Sequence, residues 1–281
     1  MKLRAGILAV AALSVARNAS QHYNSGHLAM KLDDARTARK TLLQQMRADG
    51  DISTQAEEAA YKILEPYVDS VWENIDRVNE LLVLAQDAHP PATDVWVTKG
   101  REGAAGDVLR AAVVLIHAYL EDFLRTIAGV LLPAGGESTL DAIPLAGISG
   151  RPEKFLLGKL VHHKGKLVDD VLRESVFRHL ERTTYNNTDE IARLLETLGL
   201  EVPKYNKYFP TIQEMMLRRH QIVHRGDRLK APGPDSSTLQ PIEAAEVRTW
   251  LVATSQFLTM LSAAIAATVA TKNLNIPALP R

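Results

Sequence analysis

The segment "MLRRHQIVHRGDRLK", residues 216–230, decides how the rest of the chain is interpreted. It follows the tetrapeptide 211–214, whose Thr and Glu three residues apart form a capping-box pattern that opens helices. Gly226 stands where a glycine commonly ends a helix. The segment therefore predicts a helix from about Ile212 to Arg225.

Helical geometry places an arginine on the apolar side of this helix. At about 100° per residue, five apolar residues form one stripe: Ile212, Met215, Met216, Ile222 and Val223. Arg219 falls near the centre of that stripe, and His220 and His224 stack beside it as an i, i+4 pair. An arginine that faces a core needs a partner, because a buried unpaired charge is strongly unfavourable.

Two interpretations of Arg219 follow from the sequence. In the first, Arg219 forms a structural ion pair with a carboxylate of another helix, for which Glu121 and Asp122 are candidates. In the second, the stripe faces a cleft or a subunit interface, where Arg219 binds an anion. The planar guanidinium suits a phosphate because it offers two parallel hydrogen bonds.

A basic segment, residues 204–230, surrounds the predicted helix. It holds seven basic residues against Glu214 and Asp227, although the chain as a whole is neutral. Basic side chains beside aromatic rings can follow a phosphate backbone and stack on bases, although such patches are also often solvated surface. The residues predicted to bind substrate are Arg218, Arg225, Lys207 and Tyr208.

The composition limits the classes of function. Hydrophobic residues make up 46% of the 281 residues and charged residues 23%, as in globular proteins, and the net charge is zero. Any contact with nucleic acid must therefore be local. The absence of cysteine excludes disulfides, zinc–thiolate sites and thiol nucleophiles.

Helical periodicity runs through most of the chain and predicts an all-α fold. Apolar residues at heptad spacing between residues 68 and 85 predict a helix that packs along another helix. A second long helix is predicted over residues 104–132, with His117 on its polar flank, and His162 and His163 are likewise expected on solvated helix faces. Further predictions are a helical region at 153–182 interrupted near Gly165, a short helix from Asn187 to Gly199, and a last helix after Pro241.

The chain divides into four predicted parts. Residues 1–29 are an apolar N-terminus, 30–100 a helical extension, 103–271 the main helical bundle and 272–281 a tail. The segment 1–16 resembles a secretory signal in outline, and the alternatives are an amphipathic or buried first helix, or extra residues upstream of the functional start. We expect a cytoplasmic protein, or a secreted one if residues 1–16 are a signal peptide.

The stretch from Arg219 to His224 reads as Arg, a polar residue, three further residues and His. This resembles the Arg-polar-x3-His signature of the HEPN superfamily of all-α nucleases and nucleotide-binding domains. The earlier stretch "LIHAYLEDFLRTIAGVL", beginning at Leu115, is similar to the first helix of RiboL-PSP-type HEPN domains. The resemblance implies an antiparallel HEPN-type bundle with an N-terminal helical extension.

The resemblance also implies an activity, metal-independent cleavage of RNA through attack by the 2′-hydroxyl. It would make His224 the general base or acid, Arg219 the group that binds the scissile phosphate, His220 an assisting residue, and Glu121 the residue that holds Arg219. The implied protein is a homodimeric endoribonuclease, a toxin or defence effector with RNA as substrate and an antitoxin as a possible partner. It would need no metal or cofactor, and no membrane association is expected.

Two other classes of function stay open at this point. His220 and His224 could hold zinc, since i, i+4 histidines can chelate a metal, but no third ligand is evident nearby. The second alternative is a non-catalytic module that binds nucleotides or RNA, or serves as a scaffold. On an ideal helix Arg219 and His224 project about 140° apart, so the sequence does not by itself place them in one cleft.

Overall fold

A computed structural model describes residues 55–87, 95–146, 157–228 and 239–272. The α-helices in these ranges are α1 (Gln55–Asp87), α2 (Val95–Leu131), α3 (Glu137–Leu140), α4 (Val168–Leu180), α5 (Thr188–Thr197), α6 (Phe209–Arg225) and α7 (Ala244–Lys272). Short 3-10 helices cover Leu132–Ala134, Leu157–His163 and Val202–Lys204. In the described part of the chain the β pairing is a single isolated bridge between Arg228 and Leu239. The all-α prediction is confirmed.

The described residues form two compact units that divide after Leu120 and again before Lys204, with the second unit between these points, so the first boundary falls within α2. The predicted extension does not match this division, because α1 packs along α7 in the first unit. The apolar residues at heptad spacing predicted a packed helix, and those that are buried as expected are Val71, Ile75, Val78, Leu82 and Ala85. Helix α1 is therefore part of the bundle in the first unit and not an appendage to it.

The first unit is built from long helices with apolar faces. Its core includes Leu109, Ala112, Ile116 and Leu120 from α2, together with Val247, Trp250, Leu251, Phe257, Leu258 and Leu261 from α7. Helix α6 packs against α7. His117 was predicted on a solvated flank, but it is 2% exposed, so that prediction is wrong. It lies one helical turn from Val113 and Leu120, which are both fully buried, so it belongs to the core face of α2.

The second unit contains the end of α2 and helices α3 to α5. Asn187 caps α5, since its Oδ1 accepts the N–H of Glu190 at 2.9 Å, and the helix stops before Gly199, whose φ is +75°. Gly165, with φ +83°, lies between Leu157–His163 and α4, as the predicted interruption requires. His163 was predicted to be solvated, but it is buried, with Nε2 2.9 Å from the carbonyl oxygen of Ala146.

Two segments, 103–134 and 244–266, are long and apolar enough to cross a membrane by length and composition. Core residues of α2 and α7 occur in both segments, and the core helices of globular proteins pass the same test. The predictions for residues 1–54 and 273–281 lie outside the described residues.

Candidate functional site

Helix α6 carries the residues of the predicted site and extends from Phe209 to Arg225. It begins three residues before the predicted start, with Pro210 in its first turn and without a side-chain cap. Proline suits this position because its fixed φ is already helical and the missing N–H would have no partner there. The C-terminal end is as predicted: Gly226 has φ +58°, and its N–H points back to the carbonyls of Gln221 and Ile222.

The apolar stripe of α6 is buried in its first half only. Ile212, Met215 and Met216 are at most 2% exposed, whereas Ile222 is half-buried and Val223 is 49% exposed. The prediction that Val223 faces the core is therefore wrong. The second half of α6 leaves the core, which gives the His224 end of the motif access to solvent.

Arg219 is half-buried and has no described ion partner. Its Nε is buried and makes no hydrogen bond within the described structure. A buried donor without an acceptor is unfavourable by about 1–3 kcal/mol, and more when it belongs to a charged group. An anion bound at Arg219 would satisfy this donor.

His220 and His224 lie on the exposed side of the same helix. Their ring centroids are 4.5 Å apart and the ring planes are inclined by 45°. For neither ring does the described structure contain a hydrogen bond or an ion pair, so their nitrogens are available to a substrate or ligand. Arg225, one of the predicted substrate-binding residues, is also exposed at this end of α6.

Arg218 was predicted to bind substrate and instead forms a buried cluster. Its Nη2 is 2.9 Å from Oδ2 of Asp227 and also donates to the carbonyls of Gln240 and Pro241 at 3.0 and 2.8 Å. Arg218 is 6% exposed and Asp227 is fully buried. This guanidinium is held inside the protein by the bonds of its Nη2 and does not face a phosphate outside it, although its Nε, like that of Arg219, has no acceptor in the described structure.

Arg110 completes this cluster from helix α2. Its Nε is 2.7 Å from the same Oδ2 of Asp227, and its Nη2 donates to the carbonyl of Gln240 at 2.8 Å. Asp227 itself has φ +57°, a backbone conformation that aspartate tolerates better than most residues. The Arg110–Asp227–Arg218 cluster therefore joins the end of α6 to α2 and to the segment that leads into α7.

Neither Asp227 nor Arg110 was predicted to have this role. The available signal was the pair Gly226-Asp227 at a helix end, since both residue types accept a left-handed backbone. The identity of the partners could not be read from the sequence, because Arg110 is 117 residues away from Asp227.

Tyr208 was predicted to contact substrate but belongs to the core. It is 5% exposed, its ring meets Phe257 edge to face with centroids 6.4 Å apart, and its hydroxyl lies 3.1 Å from Sδ of Met260. A base cannot stack on a ring that is covered in this way, so the prediction is wrong. Lys207 is exposed, with Nζ 4.7 Å from the centre of the Tyr208 ring, and it remains available to a phosphate.

Glu121 was expected to hold Arg219 but lies in the second unit with other partners. Its Oε1 is 2.9 Å from Nη2 of Arg125 and accepts the N–H of Tyr185 at 3.2 Å. Arg125 in turn donates to the carbonyl of Thr183 at 3.0–3.1 Å. The structure thus assigns the Glu121 carboxylate to the segment after α4 rather than to Arg219.

Burial of Tyr185 beside this pair raises the pKa of its hydroxyl to about 12. The main cause is the loss of hydration, which disfavours the charged phenolate. The Glu121 charge acts in the same direction, whereas Arg125 opposes it. Glu121 and its neighbours therefore form a structural group, and nothing in their contacts assigns them chemistry.

The structure also reduces the charge that the basic segment offers to a ligand. Arg218 is neutralised by Asp227, and Lys204 and Arg228 have interaction partners. Lys230 lies outside the described residues. Across the described ranges, no group of three or more His, Asp or Glu side chains is placed to hold a metal ion. The free polar groups of the predicted site are thus Arg219, His220, His224, Arg225 and Lys207.

The comparison with protein-family models finds a match to this chain. The model of the RiboL-PSP-HEPN family matches residues 73–252, well over half of the chain, and this range contains all of the predicted site residues. No curated protein and no solved structure matches the chain. From the extent of the family match, the chain belongs to the RiboL-PSP-HEPN family.

Proposed function

We propose that this protein is a metal-independent endoribonuclease. Arg219 binds the scissile phosphate, and His224 accepts the proton of the ribose 2′-hydroxyl or donates one to the leaving 5′-oxygen. The 2′-oxygen forms a bond to phosphorus as the bond to the 5′-oxygen breaks. The products are a 2′,3′-cyclic phosphate and a 5′-hydroxyl. The proton that His224 does not transfer is exchanged with solvent, and neither a water nucleophile nor a metal takes part in this step.

The observation that carries the proposal is the state of the two motif residues. Arg219 has a buried donor without an acceptor, and the His224 ring is exposed without a partner among the described residues. Imidazole gains and loses a proton near neutral pH, and a positioned guanidinium stabilises charge that develops on a phosphate. Family membership supports the proposal, because the motif stands inside the matched range.

The direction of the two side chains favours a site shared by two copies of the chain. Arg219 and His224 leave the helix about 140° apart, so one chain does not readily present both to one phosphate. In a homodimer, Arg219 of one subunit and His224 of the other can face the same cleft. His220 would assist from beside His224, while Arg225 and Lys207 would bind flanking phosphates.

The proposed biological role is that of a toxin or defence effector in the cytoplasm, which cleaves RNA to restrict translation or phage growth. An antitoxin that covers the α6 surface would be its natural partner. A ribonuclease of this kind needs a means of control, because it would otherwise damage the RNA of its own cell.

A non-catalytic module that binds nucleotides or RNA is the second candidate function. The observation in its favour is the same angle between Arg219 and His224, because a site that only binds phosphate needs the arginine alone. This candidate predicts RNA binding without cleavage.

The deciding experiment incubates a panel of RNAs with the protein in EDTA and identifies the product ends. The panel includes RNA with 2′-deoxy substitutions, which should resist because the nucleophile is missing. We expect Arg219→Ala and His224→Ala each to lower the rate by about 100-fold or more. His162→Ala, which changes an exposed histidine of the second unit, serves as the matched control. Binding of intact RNA by the wild type, with no cleavage of any substrate, would favour the second candidate.

A further inference from the structure

His220 and His224 have the properties of a metal-chelating pair. Both are exposed on one side of α6, and neither has a hydrogen bond or ion pair in the described structure. Imidazole is a common ligand of zinc, copper and nickel, and two histidines at i and i+4 of a helix present their rings to one point. This feature is distinct from the phosphate chemistry assigned to Arg219.

The spacing of the two rings already fits a chelate. Zinc–nitrogen bonds are about 2.0–2.1 Å long, so two imidazoles on one ion at bond angles near 90–110° have ring centres roughly 4.5–5.2 Å apart. The centres of His220 and His224 are 4.5 Å apart. The distance between the two rings therefore permits both to bind one metal ion.

We propose that His220 and His224 form a bidentate site for one zinc or similar transition-metal ion per chain. Water completes the coordination, since the described residues offer no group of three ligands. The two nitrogen ligands select the class of metal, because Mg²⁺ and Ca²⁺ require oxygen ligands.

The end of the helix gives this site a fixed frame. Gly226 closes the last turn of α6, and the buried Arg110–Asp227–Arg218 cluster ties the next residue to α2. The backbone that carries both histidines is therefore already fixed in the metal-free protein. Preorganised ligands lose less conformational entropy on binding.

The consequence for activity rests on the proposed ribonuclease function. A metal ion on the His224 ring occupies the nitrogen lone pair that proton transfer requires. Zinc is thus a reversible inhibitor of a nuclease that needs no metal, and its removal restores the free imidazole.

The site is tested first by calorimetric titration of untagged, metal-free protein with Zn²⁺ and with Ni²⁺. The wild type should bind one ion per chain, and His220→Gln and His224→Gln should each weaken binding by about tenfold or more, which corresponds to 1.4 kcal/mol. His162→Gln should bind as the wild type does. Equal affinity in the wild type and both α6 variants, or no binding at all, would overturn the proposal.

The second arm measures RNA cleavage against Zn²⁺ concentration, with RNA alone as a blank. Cleavage should fall as the site measured by calorimetry fills, and EDTA should restore it. Full cleavage with the site saturated would overturn the inhibitory role. If the protein cleaves no RNA in any condition, the proposed function fails, while the calorimetric result still decides the metal site.

Discussion

Arg218 and Arg219 are neighbours in sequence with opposite environments. Arg218 is buried, and its Nη2 donates to Asp227 and to two backbone carbonyls, whereas Arg219 is half-buried and has no such partner in the described structure. The Nε of each arginine is buried without an acceptor. A rotation of 100° between successive helical residues is enough to separate a structural cation from a candidate ligand-binding one. The difference can be measured by the same substitution at both positions.

We expect Arg219→Met to raise the free energy of unfolding by about 1 kcal/mol, because it removes an unsatisfied buried donor and keeps the apolar stem. RNA cleavage should fall by about 100-fold in the same variant. Urea unfolding and a cleavage assay check the two effects. Arg218→Met, the matched control, should lower the free energy of unfolding by roughly 3 kcal/mol, because a buried carboxylate loses a partner. A loss of stability in Arg219→Met would show that Arg219 has a structural partner.

At the scale of the element, helix α6 depends on how it ends. Gly226 has φ +58°, and a Cβ added there would meet only Arg228 Nε at 4.0 Å. Space is therefore available, and the backbone conformation is the constraint. A substitution at Gly226 therefore tests the backbone conformation of the helix end without a steric clash.

Gly226→Ala should lower the free energy of unfolding by about 1 kcal/mol, because alanine resists the left-handed conformation. Gly226→Asn should lose less, since asparagine tolerates that conformation. Thermal unfolding gives the stability and the cleavage assay gives the effect on His224. Equal stability of the glycine and alanine proteins would mean that the helix ends differently in solution.

The segment after α4 carries a buried ionisable group that predicts a pH dependence. Burial raises the pKa of Tyr185 to about 12 from its usual 10. Between these values the unfolded chain has lost the Tyr185 proton and the folded chain has kept it, so stability falls as pH rises.

This fall should reach roughly 2 kcal/mol by pH 12, at about 1.4 kcal/mol per pKa unit. Tyr185→Phe removes that component, so its stability should decline less between pH 10 and 12 than that of the wild type. Urea unfolding at a series of pH values measures the difference in stability between the two proteins. The other tyrosines are present in both proteins, so their contributions cancel. Parallel curves for the two proteins would contradict a raised pKa at Tyr185.

At the scale of the whole molecule, the proposed site depends on how Arg219 and His224 come to face one phosphate. Both belong to one helix of one chain but face different directions, and the proposed cleft needs a second copy to join them. A dimer of this kind makes a prediction about mixtures of inactive variants.

Arg219→Ala and His224→Ala should complement each other when their subunits exchange. A mixed dimer contains one cleft with both intact residues if these come from different subunits, so statistical mixing restores roughly a quarter of wild-type cleavage. Co-expression followed by a cleavage assay measures this, and each variant alone is the control. An inactive mixture that contains verified mixed dimers would place both residues of a site on one chain.

Sequence periodicity determined the helical architecture. Apolar residues at three- and four-residue spacing identified the buried faces of α1, α2 and α7, and the Asn187 cap and the glycines at 165, 199 and 226 marked the ends of segments. The six-residue motif also pointed to the family that the comparison then showed. These features are local, since helix formation and termination depend on residues within a few positions of one another.

Tertiary structure alone decided which polar residues are free. Arg218, Tyr208, His117 and His163 looked available in sequence and are buried. The partners of Arg218, Tyr208 and His163 stand 9, 52 and 17 residues away. Local pattern places a side chain on a face of its own helix, but whether that face meets solvent, a carboxylate or a ring depends on elements brought together by folding. For that reason Arg219 and His224 could be predicted as site residues from the sequence. That they are accessible, while Arg218 and Tyr208 are buried, followed only from the tertiary structure.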